Sequence, residues 1–164
     1  IILLSYYIVI NLQNFNTYQT EVMLFLEGRA TLDNFTQGEI HHLYDVKEIM
    51  DGFDIVFVLL LVALIVGLQY IDGRTLMISS FIGMILGIVI IIGSVTIFYT
   101  MFDAFHKVLF TDGSWIFPVG TKIITLFPFD FFEGITKSIL IVNVLFNLII
   151  FILCKKIYGT PNNS

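Results

Sequence analysis

The sequence predicts an all-α integral membrane protein with four transmembrane helices and a mixed, partly β, extracellular portion. Of its 164 residues, 57% are hydrophobic, and the mean hydropathy is +0.94. A soluble domain is only about half apolar, even when glycine is counted. Three long apolar runs follow a shorter one at the start of the chain, and about 20 helical residues cross a bilayer. Lipid is therefore the solvent in which most of the chain is expected to lie.

Alternating apolar and polar runs divide the chain into seven segments. The first run is too short to cross a bilayer, so it is predicted to be the end of a helix. In order, the segments are the end of transmembrane helix 1 (1–12), an extracellular segment (13–52) with an amphipathic helix at 37–51, transmembrane helices 2 and 3 (53–70 and 77–99), an extracellular aromatic-rich segment (100–134), transmembrane helix 4 (135–154) and a cytoplasmic tail (155–164).

Local signals justify the elements between the apolar runs. Residues 20–26 are short and partly β-like, so one or two strands are expected there. Thr36 and Glu39 have capping-box spacing and predict the start of a helix, which Asp51-Gly52 is expected to end. The third transmembrane helix is expected to continue to Lys107, and residues 111–114 to break it. Its glycines, Gly83, Gly87 and Gly93, predict close helix packing.

The distribution of cations predicts the orientation in the membrane. Arg74, Lys155 and Lys156 lie in two short segments on one side, whereas the other five basic residues are spread over two long segments. The positive-inside rule places the first side in the cytoplasm. All three histidines are then extracellular.

Composition also excludes several classes of protein. The single cysteine, Cys154, cannot form a disulfide framework, a CxxC redox pair or a thiolate zinc site. The net charge of −5 does not favour a nucleic-acid partner. No cofactor is expected.

The histidines are the candidate functional residues, because each has an aspartate at helical spacing. Asp45 follows His41 by four residues and His42 by three, and Asp103 precedes His106 by three. Adjacent histidines diverge by about 100° on a helix and cannot enter one pocket. His42 borders the apolar face of its helix, so it is preferred to His41. An acid/base site is the interpretation that this pattern favours.

Two other interpretations use the same residues. His41, Asp45, Asp103 and His106 offer nitrogen and oxygen ligands to a metal ion, although HxxxH and HExxH spacings are missing. A structural four-helix membrane protein needs no site at all. Trp115, in the same way, is either an interfacial anchor or a substrate-stacking residue.

Several short motifs occur in a fixed order across most of the chain. They are Glu39-x-x-His42-x-x-Asp45-Val46-Lys47, Phe105-His106 followed by Phe110 and Trp115, Leu126-Phe127-Pro128, and Phe131-Phe132. In their order and spacing, these motifs resemble those of the lipoprotein intramolecular transacylases (Lit) of Gram-positive bacteria.

The resemblance implies an enzyme of the cell membrane that acts on diacylglyceryl-modified lipoproteins. It implies transfer of the sn-2 acyl chain from glycerol to the α-amine of the N-terminal cysteine, which leaves an N-acyl, S-monoacylglyceryl (lyso) lipoprotein. It also implies that His42 and His106, the histidines that match the family's motifs, are the essential ones. The expected partners are the lipoprotein N-terminus and membrane lipid, with no nucleic acid.

The residues can be assigned roles in that chemistry. We expect one histidine, preferably His106, to take the amine proton, and the other, His42, to protonate the leaving oxygen or to stabilise the oxyanion. Asp45 and Asp103 are expected to orient the two rings. Residues expected to bind the glyceride and acyl chains are Tyr44, Phe105, Trp115 and Phe131.

Overall fold

The computed structural model describes residues 1–110 and 113–158, and every element in these ranges is helical. The expected break at 111–114 therefore lies partly outside the described residues, and the expected tail at 155–164 lies mostly outside them. The helices are α1 (Ile2–Leu12), α2 (Thr17–Leu26), α3 (Gln37–Gly67), α4 (Gly73–Leu109), α5 (Lys122–Leu126) and α6 (Phe129–Tyr158).

The strands expected at residues 20–26 were a wrong prediction, because this segment forms α2. Its start is fixed by a capping box, in which the Gln19 N–H donates to Asn16 Oδ1 over 2.9 Å and the Asn16 N–H donates to Gln19 Oε1 over 3.0 Å. Val22, Phe25 and Leu26 have helical spacing and are buried. The cap and this apolar stripe outweigh the β preference of the individual residues.

Three helices are long and apolar enough to cross a membrane. They are α3, in which the apolar run begins only at Phe53, the Gly73–Ser94 part of α4, and α6. The fourth expected span is not supported, because α1 is apolar but has only 11 residues. The three long helices nevertheless establish a membrane protein.

The amphipathic helix and the second membrane segment form one helix rather than two. The capping box at Thr36 and Glu39 is confirmed, with 2.8 Å from the Thr36 N–H to Glu39 Oε2 and 3.3 Å from the Glu39 N–H to Thr36 Oγ1. The break expected at Asp51-Gly52 was wrong, since α3 continues to Gly67. A glycine inside a helix costs only about 1 kcal/mol, and the apolar residues that follow favour continuation.

The chain divides into two compact units. Unit 1 contains Ile1–Leu12, Leu59–Ile97 and the chain from Gly134 onward, and unit 2 contains Gln13–Val58 and Phe98–Glu133. The three histidines all belong to unit 2. The core of unit 2 consists of Val22, Phe25, Leu26, Leu43, Ile123 and Leu126.

In unit 1, glycines of α4 face polar and branched side chains of α6. A Cβ atom at Gly83 would lie 2.7 Å from Asn147 Oδ1, and one at Gly87 would lie 2.6 Å from Val144 Cγ2. Asn147 is buried and donates to the Asn143 carbonyl over 2.9 Å. A Cβ at Gly93 would meet no described atom within 4 Å. Of the three glycines expected at a helix-packing face, Gly83 and Gly87 therefore lie at such a face.

We expect Gly87→Ala to be less stable than Gly93→Ala. Both substitutions gain about 1 kcal/mol of helix propensity, but only the first pushes a methyl group against Val144, and overpacking costs about 1–3 kcal/mol. Thermal unfolding of the purified variants in detergent measures the difference. Equal midpoints would show that α4 and α6 do not pack closely at Gly87.

Candidate active site

The structure brings His42 and His106 into contact with the same aromatic ring, that of Phe110. His42 lies in the second turn of α3, and its ring centroid is 4.8 Å from that of Phe110. His106 lies in the last turn of α4, at 5.5 Å from the same ring. The two histidines preferred from the sequence therefore share one neighbourhood within unit 2.

His42 is enclosed by aromatic rings. It is 7% exposed, and the centroid of the Phe117 ring lies 5.6 Å from its own. Its Nδ1 atom is buried and has no hydrogen-bond partner in the described part of the chain. Burial, with a smaller effect of the charge of His106, lowers the pKa of His42 from 6.5 to about 4, while Asp45 opposes the shift. The ring is therefore neutral at physiological pH.

His106 is held by the main chain of its own helix. Its Nδ1 lies 2.7 Å from the Phe102 carbonyl oxygen. A carbonyl oxygen can only accept a hydrogen bond, so the neutral ring carries its proton on Nδ1 and leaves the lone pair on Nε2. Burial lowers the pKa of His106, although the Phe102 hydrogen bond and Asp103 raise it in part. Nε2 is thus available as a base at neutral pH.

The two aspartates contact groups other than the paired histidines. Asp45 Oδ2 accepts from Ser114 Oγ over 3.1 Å and lies 4.0 Å from Nε2 of the exposed His41. Asp103 Oδ2 forms an ion pair of 2.7 Å with Lys107 Nζ. Asp103 was expected to orient the His106 ring, but the hydrogen bond at Nδ1 of that ring goes to the Phe102 carbonyl. Both aspartates act on the paired rings through their charge: Asp45 raises the pKa of His42, and Asp103 raises that of His106.

Comparison with known proteins identifies the family. The family model described as lipoprotein intramolecular transacylase Lit matches residues 2–132, a range that includes both paired histidines. The chain belongs to the Lit family. It is therefore a transferase of lipoprotein processing, and its three long apolar helices place it in a membrane. No curated protein and no solved structure matches the chain.

In this Lit protein, the four expected lipid-binding residues fall into different environments. Trp115 and Phe105 adjoin His106, with ring centroids 4.9 Å and 5.6 Å from it. Phe131 packs on Phe132 at 5.4 Å, within an aromatic cluster that also includes Phe15, Phe98, Phe102, Phe127 and Phe129. Tyr44 is exposed and packs edge-on against Phe25 at 5.0 Å. Trp115 and Phe105 are therefore the closest of the four to the paired histidines.

Sequence reasoning missed how three residues of the candidate site are used. Phe110 and Phe117 enclose His42, a role that the sequence did not assign to either of them. Glu39 was noted as a capping residue, but it is also 2% exposed and accepts a hydrogen bond from the distant Ile123 N–H over 2.9 Å. No periodicity in the sequence links residues that are 84 positions apart.

The metal alternative depends on three or more converging ligands. Within residues 1–110 and 113–158, no group of three His, Cys, Asp or Glu side chains lies close enough to hold a metal ion. Of the four residues considered as ligands, Asp103 is paired with Lys107, and His106 Nδ1 with a main-chain carbonyl. The described residues thus supply no metal-ligand set for this Lit protein.

Proposed function

We propose that this Lit protein moves the sn-2 acyl chain of a diacylglyceryl-cysteine lipoprotein to the α-amine of the same cysteine. The product is an N-acyl, S-monoacylglyceryl lipoprotein. The supporting observation is the pair of histidines on Phe110, one with the lone pair of its neutral ring on Nε2 and the other buried and neutral. Family membership supports transacylation in general, and the geometry favours two different roles for the rings.

The proposed base is Nε2 of His106. The neutral α-amine attacks the sn-2 ester carbonyl carbon, which gives a tetrahedral intermediate with a positive nitrogen and a negative oxygen. Nε2 of His106 takes one proton from that nitrogen and returns it to the glycerol oxygen as the carbon–oxygen bond breaks. An amide and a glycerol hydroxyl result, and His106 is neutral again, so every proton is accounted for.

The proposed role of His42 is that of a neutral hydrogen-bond donor. With a pKa of about 4, its ring does not supply an imidazolium at neutral pH. A neutral imidazole still has one N–H, and an aromatic enclosure strengthens a hydrogen bond from it to a developing oxyanion. Of the two functions expected for His42, oxyanion stabilisation therefore fits better than protonation of the leaving oxygen.

Proximity accounts for much of the proposed rate. The amine and the ester belong to one substrate, and closing them forms a ring of about eight atoms in the transition state. Holding that conformation is mainly an entropic task, and well-oriented intramolecular reactions gain about 7–11 kcal/mol in this way. A covalent enzyme nucleophile is not needed.

The aromatic side chains near His106 are proposed to hold the lipid. Trp115 and Phe105 are close enough to contact a glyceride bound at the histidines, whereas Phe131 and its cluster offer an apolar surface for acyl chains. Tyr44, which is exposed, would contact the lipid farther from the two histidines. Asp45 and Asp103 support the rings electrostatically. We propose that this site lies on the extracellular face of the membrane, the side that the distribution of cations favours.

Mass spectrometry of a lipoprotein N-terminal peptide tests the proposed function. The assay compares a lipoprotein-processing bacterium with and without this chain. We expect an N-acyl, S-monoacylglyceryl peptide whose total mass equals that of the diacylglyceryl form, because transfer within one molecule loses no atoms. Fragmentation locates the acyl chain on nitrogen. An N-terminus that stays unacylated would overturn the proposal.

A further inference from the structure

Glu39 is a buried charge to which the proposed reaction assigns no role. It is 2% exposed and lies on α3, three residues before His42. Moving a carboxylate out of water costs several kcal/mol unless hydrogen bonds compensate. The hydrogen-bond partners of Glu39 therefore indicate what its buried charge stabilises.

The Glu39 carboxylate joins two separate parts of unit 2. Oε2 accepts from the Thr36 N–H over 2.8 Å and from the Thr36 hydroxyl over 2.9 Å, and Oε1 accepts from the Ile123 N–H over 2.9 Å. The N-cap residue of α5, Thr121, makes no side-chain capping bond, so Glu39 satisfies a donor at the start of that helix. Burial raises the pKa of Glu39, but the hydrogen bonds from Ile123 and Thr36 outweigh it and lower the pKa overall.

The segment that is anchored by the hydrogen bond between Ile123 and Glu39 also contains Phe117, one of the rings that enclose His42. Phe117 precedes α5 by five positions, and its Cε1 lies 3.9 Å from the place of a Cβ on Gly38. Its ring is 5.6 Å from His42. We propose that Glu39 is a positioning residue, which fastens the Phe117 segment to the first turn of α3 and thereby keeps His42 enclosed and dry. This inference rests on the proposed role of His42.

Two substitutions test separately the length of the Glu39 side chain and its charge. Glu39→Asp keeps the carboxylate but is one methylene too short to hold both Thr36 and Ile123. Glu39→Gln loses the charge and the acceptor for the Thr36 N–H, but it keeps an oxygen for the Ile123 N–H, the bond that anchors the Phe117 segment, and an NH₂ that can donate to the Thr36 hydroxyl. Glu27→Gln is the matched control, since Glu27 is exposed and pairs only with the exposed Arg29 in the described contacts.

The measurement is an NMR titration of histidine rings in the full chain, labelled with ¹³C at Cε1 and held in detergent micelles. Three histidines give three signals, which His→Ala variants assign. The other groups that act on His42 are His106, Asp45 and His41, and all stay unchanged in the series.

We expect Glu39→Asp to raise the His42 midpoint from about 4 by about one pH unit or more, toward 6.5, because water enters the loosened enclosure. Glu39→Gln and Glu27→Gln should stay near the wild-type midpoint. A folded Glu39→Asp that titrates like the wild type would overturn the proposal, and so would a full shift in Glu39→Gln. Should Glu39→Asp not fold, Phe117→Leu replaces it, and an unchanged His42 midpoint there would have the same meaning.

This titration is independent of the proposed reaction. It needs no lipoprotein, so it reports the environment of His42 even in a chain that transfers no acyl group. Mass spectrometry of the N-terminal peptide reports the transfer itself. Failure of one measurement therefore leaves the other interpretable.

Discussion

His106→Ala should reduce acyl transfer by about 10²–10⁴-fold, the usual contribution of a positioned base. The structure gives the reason, because Nδ1 of the ring is tied to the Phe102 carbonyl and Nε2 is left with its lone pair. Without that nitrogen, the variant lacks the proposed acceptor of the proton from the attacking amine. The rate of appearance of the N-acyl peptide in purified protein and detergent measures the loss.

The matched control for this experiment is His41→Ala. His41 is on the same helix as His42, but its side chain is 72% exposed. We expect its substitution to change the transfer rate by less than about threefold, in line with the small effect of most surface substitutions. Circular dichroism of all variants checks that the helices remain. A His106→Ala enzyme with wild-type activity would contradict the assignment of the base.

His42→Ala should reduce transfer by about 10²–10³-fold, the range for removal of one oxyanion donor. The ring is buried against Phe110 and Phe117, and its Nδ1 has no partner among the described residues. The substitution removes the N–H proposed to face the developing negative charge. A Michaelis–Menten analysis should show the loss mainly in kcat, since the donor acts on the transition state rather than on the bound ester.

The pH dependence of the residual activity distinguishes the two roles. The pKa of His106 is lowered below 6.5, so its ring is a base above that pH. The enzyme should therefore lose activity as the pH falls through this pKa and the ring becomes protonated. This acid limb should persist in His42→Ala and disappear in His106→Ala. A second limb, set by the substrate amine near pH 8, should remain in both. An acid limb that disappeared in His42→Ala instead would reverse the assignment of base and donor.

Features encoded within one turn of helix could be predicted from the sequence. The capping box at Thr36 and Glu39, the extension of α4 to His106, and the preference for His42 over the exposed His41 all depend on spacings of three to five residues. Such spacings are read directly from the order of the residues. The choice of His42 and His106 as the catalytic pair itself stays a prediction.

Features that depend on distant residues could not be predicted in this way. The strand expected at residues 20–26 failed because the capping box at Asn16 and burial against the unit 2 core outweighed local β preference. The break expected at Gly52 failed because one glycine costs less than the following apolar helix gains. The hydrogen bond from Ile123 to Glu39, and the choice of the Phe102 carbonyl over Asp103, arise only once the chain is folded.

The hydrogen bond that holds His106 has a consequence for how the enzyme tolerates sequence change. Its acceptor is a peptide carbonyl, which every amino acid at position 102 supplies. Substitutions there alter the aromatic neighbour of His106, whose ring centroid lies 4.0 Å away, but leave the protonated nitrogen the same. The main chain of the helix thus sets which ring nitrogen carries the proton, so a substitution at position 102 that preserves the helix leaves the lone pair on Nε2.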